Sequence, residues 1–198
     1  MKEMLIVEGI ATSGKSSLIK EMTHLLGEDK VRVYSESETH TPIMDDVNEP
    51  HMEFFKSLIE DAQRCKAELV IFDRLHFTQA FRAKVDIAQY REVEGLLLSQ
   101  PTLVAYLRVD EPAIKERVEL SSMLPRVGLG SEHSGRNWGE YIKTKGQTFD
   151  EIAEYYVGQQ RDQLELLKQS KLESWIFDTT HNEYKAIADQ IVNEWLNK

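Results

Sequence analysis

The 198-residue chain holds one cysteine, Cys65, a scarcity that excludes an intrachain disulfide framework and a cysteine-rich zinc site. Long hydrophobic runs are missing as well. Leu103 to Leu107 is the longest, and the early run Met4 to Val7 stops at Glu8, so neither reaches the length of a signal sequence or a membrane span. Basic residues are outnumbered: 24 Lys and Arg against 34 Asp and Glu leave a net charge of −10, which repels a phosphate backbone over most of the surface. These absences predict a cytoplasmic protein in a reducing setting, with neither a nucleic acid polymer nor a membrane as partner. A small anionic ligand stays open, because a local cluster of donors can hold it whatever the total charge. The rest of the composition, 41% hydrophobic and 29% charged, is that of an ordinary globular chain with enough length for one α/β domain and its core.

Met4-Leu5-Ile6-Val7 is a short apolar run followed by glycine, the pattern of a strand buried on both faces. Leu18, Ile19, Met22, Leu25 and Leu26 then recur at helical spacing until Gly27, a residue suited to the stop after a helix. Val31 to Tyr34, Leu69 to Phe72, Leu103 to Leu107 and Trp175 to Phe177 repeat the strand pattern. Helical stretches separate them: Phe54/Phe55/Leu58/Ile59/Ala62, Ile87 to Leu98, Ile114/Val118, Ile152/Tyr156 onward and Tyr184/Ile187/Ala188/Ile191/Trp195. Alternation of this kind with right-handed crossovers predicts an α/β fold, a five-stranded mainly parallel sheet with helices on both faces, in a single domain over 1–198. From Leu124 to Gly146 no periodicity is sustained. That stretch holds five of the ten glycines, together with Arg126, Arg136, Lys143 and Lys145 against Glu132 and Glu140. It reads as a mobile, locally positive lid, or else as a solvated insertion.

Gly9-Ile10-Ala11-Thr12-Ser13-Gly14-Lys15-Ser16 matches G-x-x-x-x-G-K-[ST] between a strand and a helix. Inward-turned backbone N–H groups of such a loop cradle a polyphosphate, and its glycines allow the turn and the close approach. Lys15 then meets the β- and γ-phosphates of ATP, and the Ser16 hydroxyl ligates Mg2+. Gly9, Ala11, Thr12, Ser13, Gly14, Lys15, Ser16 and Ser17 are accordingly the expected nucleotide-binding positions of a P-loop NTPase fold. GTPases, motor ATPases and kinases share the motif. No N-K-x-D guanine signature occurs, and the strand Leu69 to Phe72 ends in Asp73-Arg74, an acid and a base, rather than in an acidic pair. A carboxylate there can serve magnesium or accept a proton, and Arg74 would face an anion; the competing reading is a salt bridge at a strand end.

Taken together, Gly9 to Ser16, Asp73-Arg74-Leu75-His76, the stretch from Leu124 to Gly146 and Ile176-Phe177-Asp178-Thr179-Thr180 resemble the thymidylate kinase and deoxynucleoside kinase group in order and spacing. After Asp73-Arg74, Thr78 and Ala80-Phe81 continue the group's pattern, with Leu75 in place of its tyrosine. The resemblance implies phosphoryl transfer from ATP, with Mg2+, to a nucleoside or nucleoside monophosphate. It implies that Arg74 binds the acceptor's phosphate or the transferred group and that Asp73 acts near magnesium or the acceptor. Glu36 resembles the general base, with Glu38 as a rival and Ser37 where the group has proline. Arg117 falls on the helix leading into the lid, Asp178 and Thr179 on the loop that packs on adenine, and Arg126 and Arg136 would supply the lid's charge. Leu58 and Ile59 stand where thymidylate kinases carry an arginine, and Ser121 where the lid's arginine repeat would continue. Two other readings remain: a kinase for another small hydroxyl compound on the same scaffold, and a nucleotide-binding protein without catalysis. A homodimer through the exposed part of Ile87 to Leu98 is a further expectation.

Several residues are expected only to pack. His76 has no triad or ligand partner at recognisable spacing, Cys65 has nothing beside it to activate a thiolate, and Trp175 and Trp195 fit the terminal strand and helix. Of Phe54 and Phe55, one must face the core. Trp138 lies in the lid stretch, where it could clamp a base.

Overall fold

The computed structural model describes residues 2–46, 48–123 and 138–196. Five strands, β1 (Glu3–Gly9), β2 (Val31–Tyr34), β3 (Leu69–Asp73), β4 (Thr102–Arg108) and β5 (Glu173–Asp178), form one sheet in the order β2-β3-β1-β4-β5. Every neighbouring pair is parallel. The helices are α1 (Lys15–Leu26), α2 (Glu36–Thr39), α3 (Met52–Arg64), α4 (His76–Ala83), α5 (Arg91–Leu98), α6 (Glu111–Met123), α7 (Trp138–Lys143), α8 (Phe149–Gln169) and α9 (Tyr184–Ile191).

Continuous apolar strands arise because both sheet faces are covered. Leu5, Val7, Ile71, Leu103 and Ala105 point to the face packed by Leu18, Ile19 and Met22 of α1 and Ile187, Ala188 and Ile191 of α9. Met4, Ile6, Val70, Phe72 and Val104 point the other way, onto Phe55, Ile59 and Ala62 of α3 and Val93 and Leu97 of α5. A smaller cluster of Ile10, Ile114, Val118, Ile142, Ile152 and Tyr156 joins α6 and α8 beside the loop after β1. Register then decides where chemistry sits. Val7 lies opposite Asp73 and Gly9 opposite Leu107, so the loop after β1 emerges between β3 and β4, where the order of connection reverses. In open parallel sheets the crevice at this reversal is where ligands bind.

The expected strands all form. Ile87 to Leu98 is divided rather than continuous: a tight 3-10 turn, Ile87–Tyr90, is capped by the Asp86 carboxylate, which accepts from Ala88 N at 2.6 Å, and α5 begins only at Arg91. That segment buries Ile87, Tyr90, Val93 and Leu97, leaving Leu98 half exposed. Phe55 is the core member of its pair, fully buried, and Phe54 packs partly buried against it. Within the stretch expected to lack structure, α7 forms and buries Ile142 against the α6 and α8 cluster. Six residues are under two helical turns, too few to display a period. Positions 124–137, with Arg126 and Arg136, lie outside the described residues. Among the described residues no helix is long and apolar enough to cross a membrane.

Candidate active site

β1 ends in a buried polar knot. Glu8 is fully buried one residue before the loop, and its carboxylate accepts from Leu75 N at 2.8 Å, Thr78 N at 3.4 Å and Thr78 Oγ1 at 2.7 Å. Thr78 Oγ1 in turn accepts from Gln163 Nε2 at 3.2 Å, and Tyr106 Oη donates to Gln163 Oε1 at 3.1 Å. This chain of bonds ties the phosphate loop's strand to the start of α4 and to α8. A buried carboxylate is tolerated because its lone pairs are occupied.

The loop from Gly9 to Gly14 turns through left-handed backbone at Thr12 (φ 71°) and Gly14 (φ 93°), with Gly9 at φ 141°. A Cβ on Gly14 would overlap the Tyr184 ring, and one on Gly9 would lie 2.6 Å from the Leu107 carbonyl oxygen. Gly14 caps α1 without a side-chain hydrogen bond and the first turn carries no acid, so the helix's N-terminal N–H groups and their partial positive charge face the loop interior. Ala11 and Ser13 are buried, whereas Ser16 and Ser17 are exposed at the first turn of α1. Lys15 is buried, and its ammonium donates to Gly9 O at 3.2 Å and Ile10 O at 2.8 Å.

Asp73 closes β3, and Arg74 follows it directly into this crevice. Arg74 adopts φ 67°, and its amide donates to Val7 O at 3.0 Å, which swings the guanidinium inward until only 7% of the residue is exposed. Its Nε lies 3.4 Å from Glu36 Oε1. Burial and the Arg74 charge push the Lys15 ammonium down to about 7, against the pull of Asp73, Glu36 and Glu8. Burial pushes the Asp73 carboxyl up to about 6, with Lys15 opposing. Arg74 moves upward: burial works against its charge, and Glu36, Asp73 and Glu8 together outweigh it. Four cationic or acidic groups expected from the sequence, Lys15, Asp73, Arg74 and Glu36, therefore meet in one field. The competing reading, a surface pair alone at a strand end, does not fit the burial of Arg74.

Glu36 and Glu38 are also separated by their surroundings. Glu38 ion-pairs with Arg32 and accepts from Ser35 N at 3.1 Å in a capping box at α2, while Glu36 reaches Arg74. Arg117 of α6 donates to Thr12 O at 3.0 Å, to Thr179 O and to Asn182 Oδ1 at 2.7 Å. Thr179 Oγ1 donates to Ser13 O at 2.9 Å. Arg117 and Thr179 thus stitch the segment after β5 to the phosphate loop. Asp178 is exposed and turns back on its own loop, accepting from Thr180 N at 2.8 Å. His76 packs on Phe77 and Tyr90 with Glu94 3.9 Å away, a core position rather than a site position. Sequence reasoning passed over Glu8, Gln163, Asn182 and Tyr184. Of these, only Glu8 carried a signal, a lone acid closing an apolar strand.

One oxygen of Asp73, Oδ1, is enclosed and has no hydrogen-bond partner among the described residues, although part of the side chain is accessible. A carboxylate oxygen such as this one and a hydroxyl such as that of the exposed Ser16 are donors of the hard-oxygen kind that Mg2+ takes.

No family model matches the chain, and no curated protein matches it in sequence. Solved structures do. YorR from Bacillus subtilis, in complex with phosphorylated GDP, is 21% identical with a TM-score of 0.62, covering 96% of this chain and 93% of that one. Shikimate kinase from Bacteroides thetaiotaomicron is 14% identical with a TM-score of 0.60, covering 98% of each chain. Deoxyadenosine kinase from M. mycoides with bound dATP is 17% identical with a TM-score of 0.56, covering 98% of this chain and all of that one. The fold is that of the P-loop kinases. At these identities the likeness speaks to architecture alone, the five-stranded parallel sheet with helices around it.

Proposed function

We propose that the protein transfers the terminal phosphoryl group of ATP to a nucleoside or nucleoside monophosphate, with Mg2+. The observation that carries this reading is the convergence of Lys15, Asp73, Arg74 and Glu36 in one crevice at the mouth of the phosphate loop. Gly9, Ala11, Thr12, Ser13, Gly14, Lys15, Ser16 and Ser17 hold the triphosphate through loop amides, the helix N-terminus and the Lys15 ammonium. Ser16 and Asp73 would hold the magnesium ion, which offsets charge on the phosphate oxygens when bound. Glu36 takes the proton of the acceptor hydroxyl as its oxygen bonds to phosphorus and the bond to the leaving ADP oxygen breaks. Arg74 stabilises the charge of the transferred group or of the acceptor's own phosphate. Arg117 and Thr179 set the wall against which the base of ATP rests, with Asp178 at its rim. Arg126 and Arg136 complete the charge from the lid.

Acceptor-dependent ADP release, measured over nucleosides, nucleoside monophosphates and small hydroxy acids with Lys15→Ala as control, tests the reading. Activity on the first two classes, abolished in the control and lowered about 10²- to 10⁴-fold by Glu36→Gln, is the expected result. Tight ATP binding with no acceptor-dependent ADP from any class would instead mark a nucleotide-binding protein. The likeness to shikimate kinase favours one second reading, a kinase for a carboxylate-bearing hydroxyl compound, and the same screen separates it.

A further inference from the structure

Both edges of the peptide unit that joins Asp73 to Arg74 are held. Its N–H, on Arg74, donates to Val7 O of β1 at 3.0 Å, and its carbonyl, on Asp73, accepts from Thr39 Oγ1 of α2 at 2.9 Å. The plane of that peptide is where the left-handed turn at Arg74 (φ 67°) begins. Pinned from β1 on one side and from α2 on the other, it is held against the rotation that would carry the guanidinium out of the crevice. α2 is a single turn, Glu36–Thr39. It therefore grips Arg74 twice: Glu36 Oε1 lies 3.4 Å from the side chain's Nε, and Thr39 reaches the backbone just before it.

A hydroxyl has one hydrogen, and a carbonyl can only accept. Thr39 Oγ1 gives its hydrogen to Asp73 O, which leaves it only lone pairs for His40 Nδ1, 3.1 Å away. Burial, then the positive charges of Arg82, Arg74 and Lys15, hold His40 well below the usual histidine range against a smaller pull from the Leu75 carbonyl, so the ring is neutral and has a single N–H to place. Nε2 makes no hydrogen bond among the described residues, so Nδ1 is where that proton meets an oxygen at bonding distance. Thr39 and His40 are both fully buried, which shields these bonds from solvent, and the His40 ring rests on Phe55 of α3 with centroids 6.1 Å apart.

We propose that Thr39 and His40 are positioning residues for the phosphoryl transfer: the relay from His40 Nδ1–H to Thr39 Oγ1–H to the Asp73 carbonyl locks the Asp73–Arg74 peptide and, with it, the Arg74 guanidinium. The inference rests on the kinase reading and adds to it two residues that act only through Arg74. His40 orients the Thr39 hydroxyl, Thr39 orients the peptide, and the peptide aims the guanidinium. Loss of either bond leaves the crevice assembled with Arg74 less often in place, so turnover rather than ATP affinity should suffer.

Steady-state kinetics on the full chain, at a temperature where circular dichroism shows every variant folded, tests the relay. Thr39→Val keeps the shape and removes the hydroxyl; kcat should fall about fivefold to tenfold with ATP affinity unchanged, and Thr39→Ser should recover most of the loss. His40→Phe keeps a ring against Phe55 and has no donor, and should lower kcat about twofold to fivefold; His40→Asn, whose amide N–H takes the place of Nδ1–H, should restore part of it. In an Arg74→Ala background Thr39→Val should cost no further turnover, because the group it aims is gone. NMR of the His40 ring nitrogens reads the relay without any reaction: the proton should sit on Nδ1 in the parent, and Thr39→Val should end that preference. An Nε2–H tautomer in the parent, a Thr39→Val kcat equal to the parent's, or an equal loss with and without Arg74 would overturn the proposal. A parent that releases no ADP with any acceptor removes the kinase reading instead, and the relay then stands or falls on the tautomer.

Discussion

Thr78→Val tests whether the buried knot behind the phosphate loop holds the site together. Valine keeps the shape of threonine and removes the hydroxyl, which donates to Glu8 Oε2 at 2.7 Å and accepts from Gln163 Nε2 at 3.2 Å. Glu8, Thr78 and Gln163 are all fully buried, so no water replaces either bond. A lost hydrogen bond to a charged group costs roughly 1.5–3 kcal/mol, and a stranded amide about 1 kcal/mol more, so the variant should be about 3 kcal/mol less stable. For a chain of this length that lowers Tm by about 6–12 °C. Thr78→Ser, which keeps the hydroxyl and loses a methyl, should cost about 1 kcal/mol. Urea unfolding of the two variants beside the parent measures both. Turnover should fall in the valine variant as well, because Glu8 also anchors Leu75 N, the residue that follows Arg74. If valine costs no more than serine, the hydroxyl is not the link between strand and helix, and the account of how Arg74 is positioned fails.

Gly14→Ala should abolish ATP binding, because its Cβ overlaps the Tyr184 ring and φ is 93°; a fluorescent ATP analogue titrated against the variant and the Gly14→Ala/Tyr184→Ala double variant checks it, and restored binding in the latter would assign the effect to the ring alone. Arg117→Ala removes the bridge from Thr12 to Thr179 and Asn182 and should weaken ATP binding about tenfold while leaving acceptor KM unchanged, as read by steady-state kinetics. Glu94 is buried, and although burial alone would raise its carboxyl, the nearby His76 ring and hydrogen bonds from Ser170 and Arg91 outweigh it and hold the group below the usual range. Its stabilising share is therefore present above about pH 4.5 and lost as pH falls through the lower folded value; denaturation midpoints between about pH 3 and 6 should drop steeply in the parent and less in Glu94→Gln.

The sheet was legible because strands covered on both faces need no alternation: Met4 to Val7 and Leu103 to Leu107 read as unbroken apolar runs. The phosphate loop was legible because a close backbone approach demands glycine at fixed offsets. Glu8 was not, since its partners Leu75 and Thr78 lie 67 and 70 positions away and only folding brings them together. Glu36 and Glu38 looked equivalent two residues apart, yet Ser35 three positions before Glu38 is a capping-box signature that ties up Glu38 and leaves Glu36 for Arg74. Helix α7, with Gly139 inside it, is too short to announce a period.

Arg74 has a backbone that an unbranched, side-chain-free residue would occupy with less strain, since the left-handed region costs an L-residue roughly 1–2 kcal/mol. A chain selected for rigidity alone would put glycine there and forgo the guanidinium. Instead the loop tolerates a permanent local distortion at the one point where the peptide must bend to deliver a positive group inward. Substituting glycine at that position should therefore harden the fold while silencing the chemistry, so thermal robustness and turnover move in opposite directions at a single residue.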